Sequence, residues 1–502
     1  MKFWNKAFPV ATCATVALFL TCGSAAQQHP RYRLVDLGVF GGPHSYGSVN
    51  GNGFQLLNNS GAVAFSADLN DPDPNQSFFC FNPDCFQTHA AYWKDGVLMD
   101  LGALPGGSNS AAGSINSRGW MTGQSQSSTI DSVLGFPEFH AVLWKQEHHI
   151  IDLGTLPGGT ESLGIYVNDS GQVIGFSTVG GISDPLGFIG FPTHTFLWEN
   201  GIMTDIGTLG GTDSFPGSSC SGQPHDLIVG FSTISTTLNP ATGMPTIDIF
   251  MWKNGHMIDL GNLGGTLSGL LNESEVCANH REQVIGSSAI PGDLAAHAFL
   301  WADGVMEDLG TLGGDNSEAI WINDAGEIAG SADLPGPSGS QTHDAVVWIR
   351  GKIQDLGTVS GDACSRGRGI NARGQVVGGS SDCFNFLHAF IWENGGPMQD
   401  LNTLIAPGSG WQLTNAFNIN DRGEILAKAA RLGFTPEDDA DLGHLVLLVP
   451  CQSVDEGGCG GNAQSVATVK VAAKLGPSPM RPLTGAAWRT KLAQRYHLLV
   501  KR

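Results

Sequence analysis

Three short motifs recur in a fixed order along this 502-residue chain, and no other feature restricts its fold as strongly. The first is Asp-Leu-Gly or a close variant, whose Asp occupies positions 36, 100, 152, 205, 259, 308, 355 and 400. The second is a run that opens with His and ends with Trp, as in His297 to Trp301. The third is an Asn-x-x-Gly turn such as Asn323 to Gly326. Such self-similarity at a spacing of about 45–65 residues indicates one repeated supersecondary unit.

Each unit predicts four short strands. The Asn-x-x-Gly segment is a hairpin turn between the first and second strands, with Gly where a positive φ is needed. The His-to-Trp run is the third strand, and the run that enters Asp-Leu-Gly is the fourth. Four strands in about 45–50 residues, bounded by Gly-rich turns, are typical of a propeller blade. The chain is 41% hydrophobic, which is enough to build an all-β core.

The phase of the repeats predicts how the ring closes. Eight His strands and eight Asp-Leu-Gly strands occur, but the first Asp-Leu-Gly strand, residues 33–38, precedes every His strand. The last His strand, at 444–448, has no Asp-Leu-Gly strand after it. Pairing residues 33–37 with 445–448 would complete an eighth four-stranded blade and remove an open sheet edge. The sequence therefore predicts an eight-bladed β-propeller; a β-solenoid or two smaller propellers are the alternatives.

The three motifs resemble the HAF repeats of bacterial proteins that are thought to be extracellular. The resemblance rests on His-Ala-Phe-Leu-Trp, Asp-Leu-Gly-Thr-Leu-Gly-Gly and Ile-Asn-x-x-Gly, and it covers residues 32–450. It implies an extracellular location but no activity and no catalytic residues. The fourth repeat departs from the pattern, because Asp248 replaces the His and residues 219–226 do not contain the Asn-x-x-Gly turn.

The repeated His, Trp and Asp side chains are interpreted as structural. Equivalent residues of adjacent blades should lie more than ~10 Å apart, whereas metal–nitrogen bonds are ~2 Å long, so the histidines cannot share a metal ion. A His-to-turn hydrogen bond that involves the Asp of Asp-Leu-Gly is expected, with Trp packed between blades. These positions include His140, Trp144, Asp152, His297, Trp301, Asp308, His388, Trp392 and Asp400.

The N-terminus has the pattern of a secretory signal peptide, residues 1–26. Lys2 and Lys6 precede the apolar stretch 7–20, and Ser24-Ala25-Ala26 is a cleavage-site motif. A lipoprotein acylated at Cys22 is the alternative. No later segment approaches the ~20 apolar residues of a membrane-spanning helix. We expect an exported protein that is secreted or held at the cell surface.

Export predicts disulfides, since eight cysteines remain after residue 26 and the compartment is oxidising. Zinc is the alternative, but the chain has no C-x-x-C pair. Local spacing favours four bonds, which are Cys80–Cys85, Cys364–Cys383, Cys451–Cys459 and, by remainder, Cys220–Cys277.

Charge divides the chain into two parts. The net charge is −21, which argues against nucleic-acid binding because a phosphate backbone needs a basic surface. Residues 451–502 form a basic tail that we expect to be partly disordered. This tail could lie against the acidic propeller, contact an anionic surface, or remain free.

The long inserts all fall between second and third strands, at 68–88, 125–139, 178–193, 234–247 and 435–443. Alternating strand directions place them on one face, which usually marks a binding side; neutral drift in loop length is the alternative. Phenylalanines in these inserts predict either small satellite cores or an apolar docking patch.

Motifs of common hydrolases, such as G-x-S-x-G and H-E-x-x-H, do not occur. We expect a binding scaffold for an extracellular protein or polysaccharide. An extracellular hydrolase or lyase with carboxylates at the central channel, or a structural matrix protein, are the other hypotheses.

A calcium site is the one cofactor hypothesis. The insert at 68–75 places oxygen ligands at alternate positions, including Asp71 and Asp73. Ring closure would bring it next to the acidic run that contains Asp438 and Asp439. A solvated acidic rim without calcium is the alternative.

Overall fold

The computed structural model describes residues 32–47, 54–75, 80–131, 135–145, 149–180, 191–218, 220, 227–240, 242–269, 276–337, 342–432, 443–451 and 464–465. The predicted signal peptide lies outside these residues, as does most of the basic tail. Within the described ranges, no helix is long and apolar enough to cross a membrane.

Eight antiparallel sheets form the blades of a β-propeller, and the chain order of the strands is the predicted one. The chain begins with β1 (Tyr32–Asp36). Blades 1 and 2 contain β2 (Gly41–Tyr46), β3 (Val63–Pro72), β4 (Phe86–Lys94), β5 (Val97–Asp100), β6 (Ser110–Ile115), β7 (Met121–Ile130), β8 (Pro137–Trp144) and β9 (Ile150–Gly154). Blades 3 and 4 contain β10 (Ser162–Val167), β11 (Val173–Thr178), β12 (Thr193–Glu199), β13 (Ile202–Asp205), β14 (Ser214–Pro216), β15 (Leu227–Leu238), β16 (Pro245–Lys253) and β17 (His256–Gly261).

Blades 5 and 6 contain β18 (Cys277–Ala278), β19 (Val284–Ala289), β20 (Ala296–Ala302), β21 (Val305–Asp308), β22 (Ser317–Ile322), β23 (Ile328–Asp333), β24 (His343–Ile349) and β25 (Lys352–Asp355). Blade 7 contains β26 (Cys364–Ile370), β27 (Val376–Ser381), β28 (Phe386–Trp392) and β29 (Gln399–Asp400), followed by a 3-10 helix at Leu401–Thr403. The last strands are β30 (Trp411–Ile419), β31 (Ile425–Arg431), β32 (His444–Pro450) and β33 (Gln464–Ser465).

The N-terminal strand closes the ring, as the phase of the repeats predicts. Strand β1 pairs antiparallel with β32, in a register that sets Val35 opposite Leu447. Blade 8 therefore has the order β30-β31-β32-β1, with the short β33 added in parallel outside β1. The solenoid and two-propeller alternatives are wrong.

In four blades, a glycine of the second strand leaves room for a phenylalanine ring of the third strand. In blade 3, Gly175 of the second strand lies opposite Phe196 of the third strand. A Cβ atom at Gly175 would come within 2.6 Å of the Phe196 ring. The same Gly–Phe contact recurs in blades 4, 5 and 7, where the fully buried ring has no room beside a side chain. The Phe of the second motif and the Gly of the second strand are thus one packing unit.

The repeated tryptophans pack between blades. Trp144 and Trp348 are fully buried. Trp348 donates its indole N–H to the carbonyl of Leu309 at 2.9 Å. The buried indole nitrogen of Trp144 has no hydrogen-bond partner among the described groups, so the expectation that each indole N–H is satisfied does not hold there.

Three of the four predicted disulfides are present: Cys80–Cys85, Cys220–Cys277 and Cys364–Cys383. The first stabilises the long insert of blade 1, and the second joins blades 4 and 5. The fourth predicted bond requires Cys459, which lies outside the described residues, so Cys451–Cys459 stays a prediction.

Candidate functional site: the insert face

The topology gives the propeller two chemically different faces. In a blade whose first strand is innermost, the loops between strands 2 and 3 and the connections to the next blade emerge together; we call this side the insert face. The tight turns between strands 1 and 2 and between strands 3 and 4 form the opposite side, the turn face. All the long inserts therefore share one face.

The turn face is fastened by a ring of asparagines. Six Asn residues of the Asn-x-x-Gly turns each donate a side-chain N–H to the backbone carbonyl of the equivalent Asn in the next blade, at 2.9–3.1 Å. These donations run from Asn58 to Asn116, Asn116 to Asn168, Asn279 to Asn323, Asn323 to Asn371, Asn371 to Asn420 and Asn420 back to Asn58. The side-chain oxygen of each Asn accepts two N–H groups of its own turn, as in Asn371. The same residue thus shapes the hairpin and joins the blades.

Blade 4 replaces its link in this ring by a covalent bond. Cys220 occupies the Asn position of blade 4, because Ser214 aligns with Ser162 and the Asn of blade 3 follows Ser162 by six residues. The disulfide from Cys220 reaches Cys277, two residues before Asn279 of blade 5. The departure of the fourth repeat, noted in the sequence, therefore keeps the blades joined by other chemistry.

On the insert face, the Asp of Asp-Leu-Gly caps the connection to the next blade. In blade 6 the Asp355 carboxylate accepts the N–H of Gly357 at 2.8 Å, and Gly357 has φ of +69°. Six other copies make the same bond to the Gly two residues later. This Asx turn explains why Asp and Gly recur at this spacing.

Five of these carboxylates also bind the His of the third strand. The pairs are His89–Asp100, His140–Asp152, His194–Asp205, His297–Asp308 and, across the closure, His444–Asp36, at 2.8–3.0 Å. Burial disfavours ionisation of Asp152, but the bonds from His140 and from Gly154 hold its pKa below the usual range. Burial lowers the pKa of His140, but the bonds and charges of Asp152 and Glu138 outweigh it and raise that pKa.

Two repeats place a second carboxyl where the His stands elsewhere. The register of blade 6 sets Asp344, rather than His343, at the His position, so the sequence alignment of that strand is off by one residue. Burial and the nearby Asp355 raise the pKa of Asp344 to about 6. In blade 4, burial and Asp259 raise the pKa of Asp248.

Blade 7 differs from the expected pairing. The Nδ1 atom of His388 lies 2.9 Å from Asp362, in the connection that precedes its blade. Asp400 instead accepts the N–H of Asn402 and begins the 3-10 helix.

The insert face is acidic. When each of its sixteen connecting segments is counted together with the last residue of the strand before it, the sequence includes one Lys or Arg, Arg431, and at least two Asp or Glu in every blade. On the rim, the exposed carboxylates are Asp152, Asp205, Asp259, Asp308 and Asp355. The turn face carries both signs, and several of its charges are paired, for example Lys253 with Glu282 and Arg422 with Glu424.

Apolar side chains are exposed at the tips of five insert-face loops. They are Ile130, Leu238, Leu294, Phe384 and Leu432, one each from blades 2, 4, 5, 7 and 8. Leu294 is 95% exposed and Phe384 is 79% exposed. The other exposed large apolar residues of the described chain lie on outer strands: Val97, Ile202, Ile258 and Val305.

The phenylalanines of the inserts mostly do not belong to this exposed set. Phe81, Phe136 and Phe139 form a small buried cluster, with Phe81 stacked on Phe139 at 5.4 Å between ring centroids. Phe191 is also buried. The satellite core is therefore the correct alternative for Phe81, Phe136 and Phe139, whereas Phe86 is half-buried and lies outside this cluster.

A buried acid pair lies where blade 1 meets blade 8. Asp68 is fully buried and accepts the N–H of His44, the hydroxyl of Tyr46 and the hydroxyl of Thr88. Its carboxyl also contacts that of Asp84, and burial together with Asp84 raises the pKa of Asp68 to about 9. Two close carboxyls suit glycosidase chemistry, but a substrate cannot reach Asp68.

The calcium hypothesis stays untested. The Asp73 carboxylate accepts N–H groups from Asn75, Phe81 and Asn109, so it serves to shape its own loop. Asp438 and Asp439 lie outside the described residues, whereas Asp71 lies within β3. No group of three or more His, Cys, Asp or Glu side chains in the described chain is arranged to hold a metal ion.

Sequence reasoning missed the loop-tip residues and the acid pair. Leu294 follows Pro291-Gly-Asp293, and an apolar residue within such a turn signal is a sign of exposure. Nothing in the sequence indicates the contact of Asp68 with Asp84, because the insert that separates them folds back on itself.

The sequence matches no protein-family model and no curated protein sequence. Solved structures with a similar course of the chain include Pyrococcus horikoshii acylaminoacyl peptidase, at 11% identity and a TM-score of 0.40, covering 78% of this chain and 58% of that one. Porphyromonas gingivalis dipeptidyl peptidase 4 has 7% identity and a TM-score of 0.42, with 81% and 59% covered. The β-propeller domain of the Trilobed protease from Pyrococcus furiosus has 9% identity and a TM-score of 0.40, with 68% and 93% covered. This chain spans little more than half the length of the two peptidases.

Proposed function

We propose that this protein is a secreted or surface-held binding propeller, of the HAF-repeat type, whose insert face takes a cationic, partly apolar polypeptide. The observation that carries the proposal is the composition of that face: one basic residue against carboxylates from every blade, with apolar side chains exposed at five loop tips. Exposed apolar tips and an excess of carboxylates on one face are costly to keep unless a partner covers them. The three disulfides suit an oxidising compartment.

The chemistry of the face selects the class of partner. A carboxylate-rich surface attracts Lys and Arg and repels anionic polysaccharides. Leu and Phe tips bind apolar side chains, whereas neutral sugars stack on Trp and Tyr. A basic protein segment therefore fits better than a polysaccharide.

Binding of a labelled amphipathic Lys–Leu peptide to the full chain tests the proposal, with a Glu–Leu peptide as the negative control. The variant Asp205→Asn/Asp259→Asn/Asp308→Asn keeps the Asx turns, because an amide oxygen can still accept the Gly N–H. It should weaken binding roughly tenfold, at about 0.5 kcal/mol for each exposed charge pair.

The matched control removes three exposed charges from the turn face, as Asp95→Asn/Glu199→Gln/Asp303→Asn. It should leave the affinity unchanged. Equal losses in the two triple variants, or equal binding of the Glu–Leu peptide, would show that the insert face is not the binding side.

The hydrolase or lyase hypothesis needs a carboxyl group that a substrate can reach. Two contacting carboxyl pairs are Asp68 with Asp84 and Asp344 with Asp355, and the first member of each pair is buried. We therefore retain binding as the function.

A further inference from the structure

The path of the chain after blade 8 leads back to the insert face. Strand β32 runs from His444, at the insert face, to Pro450 at the turn face. Strand β33 then pairs in parallel with β1, setting Gln464 beside Val35 and Ser465 beside Asp36. Because Asp36 begins the insert-face connection to blade 1, residue 465 ends at the edge of the insert face. The remaining 37 residues start there.

The sequence of residues 466–502 complements that face. It contains eight Lys or Arg and no Asp or Glu. Near its end, Trp488, Leu492, Tyr496 and Leu499 follow one another at spacings of four, four and three residues. Such spacing places apolar side chains on one side of a helix and leaves Arg489, Lys491 and Arg495 free for charge contacts.

We propose that the C-terminal segment 466–502 docks on the insert face of its own propeller and competes there with the external partner. The inference rests on the proposed function, since it assigns an internal occupant to the same surface. Its positive charges meet the acidic rim, and its apolar residues meet tips such as Leu294 and Phe384. The external partner then binds fully only when the segment is displaced.

Effective concentration sets the size of the effect. A tethered segment is present at about 1 mM near its site. If it binds with a Kd of about 0.1 mM, it lowers the apparent affinity for a competitor roughly tenfold. Weak docking in cis is therefore sufficient for control.

The test compares full-length chains in binding of the same labelled Lys–Leu peptide. Arg489→Glu/Lys491→Glu/Arg495→Glu should raise the affinity roughly tenfold by releasing the segment. The control Arg489→Lys/Arg495→Lys keeps the charge and should behave as the unmodified chain. Equal affinities in all three chains would overturn the docking and leave the proposed function standing; binding by none of them would remove both.

Zero-length carbodiimide cross-linking of the unmodified chain gives a readout independent of the probe. Lys470, Lys474 and Lys491 should couple to insert-face carboxylates such as Asp293 and Asp382, as identified by mass spectrometry. Coupling to turn-face carboxylates such as Asp169 and Asp303 instead would overturn the placement of the segment.

Discussion

The two faces of the propeller are built from one repeat but have diverged to different extents. On the turn face, an asparagine occupies the same place in seven blades, and six of the seven donate to the Asn of the next blade. On the insert face, loop length changes from blade to blade, and the exposed tips are Ile, Leu or Phe. The difference indicates that the same residue is kept in each repeat where neighbouring blades contact each other. The loops of the insert face make no such repeated contact, so their length and sequence can change to suit a binding partner.

Blade 4 sharpens this comparison. Its insert is long, like those of blades 1 and 2. Its turn-face Asn position, by contrast, holds Cys220, whose disulfide restores the connection to blade 5. A change on the turn face thus comes with a replacement bond.

The largest effect is expected from opening the ring that both faces share. Deleting residues 27–40 removes β1, exposes the edge of β32 and breaks the contact of Asp36 with His444. Thermal unfolding followed by circular dichroism should lose its single sharp transition, because the end blades no longer hold each other. Deletion of residues 27–31, which ends before β1, is the control. A melting curve unchanged by the longer deletion would contradict the closure.

Removing one asparagine should come next. Asn371→Ala strips the bond to Asn420 and leaves buried N–H groups of its turn without their acceptor. A loss of about 3 kcal/mol in the free energy of unfolding is expected, from an interblade bond plus unsatisfied donors. Urea denaturation measures it. The exposed insert-face residue Asn70 is the matched control, and Asn70→Ala should cost less than about 0.5 kcal/mol. Similar losses of unfolding free energy in Asn371→Ala and Asn70→Ala would show that the turn-face asparagines contribute no more to stability than an exposed asparagine of the insert face.

A smaller effect with a pH signature is expected at the acid pair. Asp68 has its pKa raised to about 9 in the folded protein, against ~3.9 in an unfolded chain. Between these values the folded state holds a proton that the unfolded state has released, so stability should fall as pH rises through that window. Asp84→Asn removes the neighbouring charge and offers Asp68 an N–H donor. It should stabilise the fold by on the order of 1 kcal/mol at neutral pH and flatten the slope.

Urea unfolding at pH 5, 7 and 9 checks this prediction, with Asp303→Asn on the turn face as the control. A variant that follows the pH slope of the unmodified chain would show that the two carboxyls are independent.

The smallest change in stability is expected at the loop tips. Leu294→Ser and Phe384→Ser should alter the free energy of unfolding by less than about 0.5 kcal/mol, because both side chains are already in water. Together they should weaken binding of the Lys–Leu peptide severalfold. Ile202→Ser and Val305→Ser, on exposed outer strands, are the matched control for lost apolar surface. If the two double variants differed in stability, or if they bound the peptide equally well, the loop tips would not be the binding residues.

Much of the fold could be predicted from the sequence because its turns are formed by hydrogen bonds within short motifs. Asp-Leu-Gly predicts a turn because the hydrogen bond that forms the turn, from the N–H of Gly357 to Asp355, joins residues within the motif. The Asn-x-x-Gly hairpin is likewise formed by hydrogen bonds within its own turn. The phase of the repeats predicts the closure by β1, since a ring must pair its first strand with its last blade. The spacing of the cysteines also predicts Cys80–Cys85 and Cys364–Cys383, and Cys220–Cys277 follows as the remaining pair; all three are found among the described residues.

Contacts between residues far apart in sequence were decided by the tertiary structure. The period, the blade and the face on which the inserts lie follow from the sequence alone, because each depends on bonds within one repeat. The sequence does not predict that Asn420 donates to Asn58, that Asp344 takes the place of His343, or that Asp68 contacts Asp84. These depend on strand register and on how neighbouring blades meet, and a one-residue shift in register changes which side chain faces inward. Exposure of Leu294 and Phe384 is decided in the same way, since only the folded loops determine which apolar residues remain uncovered.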